Sequence, residues 1–72
     1  MNNARRKEIK QTIRDIEGVI MSILDDERDA YDNMPEGIQN SDNGMNSMDA
    51  QDNLEAAVDA LEEAISCLED IV

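Results

Sequence analysis

The chain has 72 residues, a net charge of −12, one Tyr, one Cys, and no Trp, Phe or His. So short a chain forms at most one domain, and a core of Ile, Leu, Val, Met and Ala is too thin to enclose a substrate pocket. Without His the commonest general acid–base and the commonest metal ligand are missing, and a lone Cys67 closes no internal disulfide.

The charge is uneven. Met1 to Arg14 holds five bases and one acid, net +4, whereas Asp15 to Val72 holds one base and seventeen acids, net −16. Such a field repels nucleic acid and anionic membranes and attracts basic protein surfaces; it also serves solubility alone. The basic start leads into no apolar signal-peptide core, and the longest apolar run, Val19 to Met21, falls far short of the ~20 residues of a membrane span. The expected setting is a reducing cytoplasm, which the resemblance given below makes that of a bacterial host cell.

A first helix is predicted over about residues 3–32, with Asn2 or Asn3 at its cap. Ile9, Ile13, Ile16, Ile20 and Ile23 step by four, three, four, three, which is a heptad seam. Val19 and Leu24 widen it on either side, Glu27 interrupts it, and Ala30 and Tyr31 resume it. Gly18 falls on the outer face, where it costs about 1 kcal/mol against Ala.

A break follows over about residues 33–41. Pro35 cannot continue the helical ladder and pushes Met34 out of the α region, and Gly37 permits a positive φ. Met34 and Ile38, apolar in a polar loop, read as a plug over the hairpin end. A calcium loop does not fit. With Gly44 at the sixth position, Gln39 and Ala50 take ligand positions; with Gly37 there, Met34 does.

A second helix is predicted over about residues 42–72, capped by Ser41 with Asp42 in its first turn; Asn46 and Ser47 offer a later cap. Leu54, Val58, Leu61, Ile65, Leu68 and Val72 form its seam, and Ala57, Ala64 and Ile71 widen it. Each helix places charge against its own dipole: Arg5, Arg6 and Lys7 at the first N-terminus, Glu69 and Asp70 at the second C-terminus. Antiparallel packing relieves both, by setting Arg5, Arg6, Lys7 and Lys10 beside Glu62, Glu63, Glu69 and Asp70. The expected fold is therefore all-α: an antiparallel, coiled-coil-like two-helix hairpin. Its surplus apolar positions Val19, Leu24, Ala57, Ala64 and Ile71 are expected to pair two hairpins into a four-helix-bundle homodimer.

The start Met1-Asn2-Asn3-Ala4-Arg5-Arg6, the turn residues Asn33, Met34, Pro35, Glu36, Ile38, Gln39 and Ser41, and the acidic stretch AAVDALEEAISCLEDI carry a resemblance. Together they look like a group of short acidic hypothetical proteins of bacteriophages and prophages, with an N-[ML]-P-E-x-[LI]-Q-x-S turn between two long helices. The resemblance covers nearly the whole chain, and its distinctive part is the turn. It implies a phage origin and a helical hairpin, and brings no activity or catalytic residues.

No enzyme is expected, and no catalytic residue, cofactor or metal is assigned. The neighbours Asp25/Asp26 and Glu62/Glu63 point about 100° apart on a helix and form no carboxylate dyad. Cys67 has acids rather than cations around it in its own helix, which disfavours the thiolate. Two function classes remain. One is an inhibitor that occupies a basic face of a host defence or nucleic-acid-binding protein. Its contact surface is assigned to Asp25, Asp26, Glu27, Asp29, Asp32 and Glu36. The other is a structural or adaptor module that self-assembles without competing with nucleic acid.

Overall fold

The computed structural model describes residues 1–71 and is all-helical apart from its connections. It has a long helix α1 (Asn3–Asp32), a single helical turn α2 (Glu36–Gln39) and a second long helix α3 (Asp42–Glu69). The long helices pack against each other, and two ion pairs set their direction: Lys10 near the start of α1 meets Glu69 at the end of α3, and Arg28 near the end of α1 meets Glu55. The pairing is antiparallel. The body measures 54 × 15 × 11 Å with a radius of gyration of 16.5 Å, against about 11 Å for a compact domain of this length. It is a rod two helices thick.

Local signals explain the ends of the helices. The Asn2 side chain accepts a hydrogen bond from the Arg5 backbone N–H at 2.8 Å and caps α1. Asn33 closes α1 by donating its own N–H to Asp29. Ser41 takes the N-cap position of α3, but its hydroxyl donates backward to the Ile38 carbonyl and does not cap the helix. The seam position Val72 lies outside the described residues.

The connection differs from the expected open loop. Pro35 is an N-cap here, with φ −57° and ψ 149°, and the chain after it winds one turn. Proline's missing N–H costs nothing at a helix start. Gly37 sits inside that turn, and no glycine has a positive φ. Ile38 is exposed, so the expected plug falls to Met34, half-buried, and to Gln39. The Gln39 amide donates to the Tyr31 carbonyl at 2.9 Å and satisfies an end carbonyl of α1.

The packing also corrects the first helix's seam. The α1 positions turned toward α3 are Arg6, Lys10, Ile13, Glu17, Ile20, Leu24, Glu27 and Tyr31, all half-buried or buried, at alternating steps of four and three. Ile9, Ile16 and Ile23 are exposed instead. The apolar stripe on α1 is broader than one neighbour can cover, and the helix is rotated so that its Leu24 edge faces inward. Leu24, only 5% exposed, is the most enclosed apolar side chain in the hairpin. It is therefore unavailable to a second copy, where the sequence reading had placed it. On α3, the half-buried line runs through Leu54, Val58, Leu61, Ile65 and Leu68, with Ala57 and Ala64 half-buried beside it and Ile71 half-buried just past the helix end.

The tightest approach in the molecule is at Gly44, in the first turns of α3. A Cβ there would run into the backbone of Gln39. Gly44 lets α2 close onto α3, because an approach to backbone this close leaves no room for a side chain, and Ser47 and Gln51 are buried in the following turns.

Candidate interaction surfaces

Three surfaces stand out once the hairpin is formed. The first is the acidic loop end. Asp25, Asp26, Asp29, Asp32 and Glu36 are exposed, and Glu27 is half-buried on the α3 side. Asp25, Asp29 and Asp32 are spaced four and three apart and share one helix face; Asp26 is rotated off it. The antiparallel register adds acids from α3 that sit far away in sequence. Asp42, Asp49, Asp52 and Glu55 are exposed on the same half of the rod. From Asp25 to Glu55 there are ten acids and one base, net −9. That base, Arg28, bridges the helices: one guanidinium nitrogen lies 2.6 Å from Glu55 and another 3.6 Å from Asp25. The rest of the loop-end carboxylates form no ion pair among the described residues.

Asp49, Asp52 and Glu55 are absent from the expected contact surface because they belong to the other helix. The signal was present in the register. An antiparallel hairpin turning near residues 33–41 sets residues 49–55 beside residues 25–32.

The second surface is an apolar ridge along α1. Ile9, Ile16, Val19 and Ile23 are 38%, 45%, 60% and 51% exposed. Of the five residues assigned to self-association, Val19 lies on this ridge, Leu24 is inside the hairpin, Ala57 and Ala64 are half-buried on α3, and Ile71 is half-buried just past its end.

The third surface is the open end. Lys10 donates to Glu69 at 2.6 Å and keeps only 17% of its side chain exposed, its alkyl stem lying along the seam. The Lys10 hydrogen bond and charge, helped by the Arg14 and Arg6 charges, hold the Glu69 carboxyl below the usual carboxylate range. Of the basic and acidic groups expected to face each other here, Lys10 and Glu69 form the ion pair found among the described residues. Lys7, Lys10 and Arg14 line a shallow open groove with Glu8 and Gln11.

No group of three metal-ligating side chains converges among the described residues. No helix among them is long and apolar enough to cross a membrane. Cys67 is an exposed free thiol. No protein-family model, curated protein or solved structure matches the chain.

Proposed function

We propose that this is a small phage-type protein of the bacterial cytoplasm that binds and inhibits a host protein, of the defence or nucleic-acid-binding kind, through its acidic loop end. The observation that carries the reading is the charge there: ten acids against Arg28 alone, contributed by both helices and mostly exposed. A rod about two helices wide with carboxylates along one half offers a basic cleft a negative surface, as a nucleic-acid backbone does. The same charge disfavours direct binding to nucleic acid or an anionic membrane. The resemblance to short phage proteins points the same way. Two hairpins pairing into a four-helix-bundle homodimer form the working unit.

The test has two stages. Host lysate is passed over the immobilised protein at low salt, and the captured protein is then assayed for nucleic-acid binding with free hairpin as competitor. The reading predicts competition that is lost when Asp25, Asp26, Asp29 and Asp32 are all changed to Asn. Capture that survives this change, or that never competes with nucleic acid, contradicts it.

The exposed ridge on α1 favours a second reading, a structural or adaptor module whose binding is apolar. In that case the four Asp→Asn changes leave binding intact and a polar substitution at Ile16 abolishes it.

A further inference from the structure

α1 carries a second heptad seam that α3 does not cover. Ile9, Ile16, Val19 and Ile23 form its apolar part, extended by Arg5 at one end and Asp26 at the other, at steps of four, seven, three, four and three. All six side chains are exposed. The spacing is that of a helix-pairing seam, which wants another helix along its length.

We infer that this ridge pairs with the same ridge of a second copy, antiparallel, about a two-fold axis at Ile16. The inference rests on the pairing of hairpins proposed above, adds the face, the direction and the register, and puts α1 against α1 at the contact with both α3 helices outside it. Three observations carry it. Ile16 is seven residues from both Ile9 and Ile23 and lies within two residues of the middle of α1. An antiparallel copy centred there sets Ile9 against Ile23 twice and overlaps the two α1 helices over all but their last turn. Such an interface is isologous, the same patch meeting itself.

Charge then selects the direction. Met1 to Arg14 carries +4, while Asp15 to Asp32 carries seven acids and Arg28, net −6. Parallel pairing stacks like on like. Antiparallel pairing sets basic against acidic halves at both ends, with Arg5 of one copy at Asp26 and Glu27 of the other. Finally, α3 offers no equivalent surface. Its span Asp42–Glu69 holds eight acids and no base, and its exposed large apolar residues are Met45 and Met48, near its start.

Site-directed cross-linking tests the register. In a Cys67→Ser background, single cysteines are introduced as Ile9→Cys, Ile16→Cys and Ile23→Cys and oxidised with copper–phenanthroline. Ile16→Cys should link to itself. Ile9→Cys should not, but should link to Ile23→Cys when the two are mixed. Self-linking of Ile9→Cys, or none by Ile16→Cys, overturns the arrangement. Sedimentation of the unsubstituted chain separates the two levels of failure. A dimer with the wrong links overturns this register alone, whereas a monomer at every concentration overturns the pairing itself. The charge argument has its own arm. Arg5→Glu should weaken the dimer about tenfold, and adding Asp26→Arg to the same chain should restore it. Helicity is followed by circular dichroism in each variant, and an intact hairpin that shows no such loss and recovery overturns the charge-selected direction.

Discussion

The two ends of the rod are held by different physics. At the loop end, packing dominates: Leu24, Gly44, Ser47 and Gln51 are the buried residues, and all lie between positions 24 and 51. At the open end nothing is fully buried among the described residues. The seam there is made of half-buried aliphatics, the stem of Lys10 and its contact with Glu69. Charge is distributed the other way. The loop end is almost purely acidic on its surface, and the open end is mixed. A region that carries strong self-repulsion outside needs close packing within, and a region with complementary charges tolerates a looser seam. Glu17 is an imperfection between the two ends. One of its carboxylate oxygens is enclosed without a protein partner, in the middle of the hairpin seam.

Substitutions at the two ends should separate these contributions. Gly44→Ala should be the most damaging, about 3 kcal/mol, because its Cβ meets the Gln39 backbone and α2 must move away. Urea melts read this as a lower midpoint. Leu24→Ala should cost about 2 kcal/mol, the low end for a buried Leu, since the rod is thin enough to relax. Leu68→Ala, the same truncation at the open end, should cost about half that, because its side chain is only half-buried. Equal losses for the two leucines would erase the contrast between the ends. Glu17→Leu should stabilise the hairpin by about 1 kcal/mol, by replacing an enclosed carboxylate with apolar contact. A lowered melting temperature would show that Glu17 is held by a partner.

The smallest effect concerns pH. Glu69 has its carboxyl held low in the folded chain by Lys10. A depressed folded pKa contributes stability that is present above the unfolded carboxylate value and is lost as pH falls through the folded one. Lys10→Met should therefore flatten the acid limb by removing a small stabilisation at neutral pH, small because Glu69 is exposed, while stability below the folded Glu69 pKa stays as in the parent. A steep acid limb that survives in the variant would assign it to other carboxylates.

Much of the architecture was legible because it is periodic. Apolar steps of three and four, interrupted at Glu27 and ended at Pro35, are enough to read two long helices that must pack together. The rotation of α1 was not legible. Ile9, Ile13, Ile16, Ile20 and Ile23 run down the middle of a broad stripe, and either edge could face the partner. The inward edge goes with contacts distant in sequence, including Lys10 to Glu69 and Arg28 to Glu55. The same non-locality hid Asp49, Asp52 and Glu55 from the acidic surface. The turn at Glu36–Gln39 was missed because Gly37 reads as a breaker, although Pro35 followed by Glu36 carries the composition of a helix start.

On the pairing proposed here, α1 has two working faces, one closed by α3 and one left for a second copy. Sedimentation equilibrium of the intact chain beside its Ile16→Asp variant tests it most directly. Ile16 is 45% exposed in the hairpin, so the variant keeps its intramolecular packing. At the proposed axis it sets two carboxylates face to face. The account predicts the mass of two chains for the unsubstituted protein and of one helical chain for the variant. An unsubstituted chain that sediments as a helical monomer, or a variant that dimerises as tightly as its parent, contradicts it.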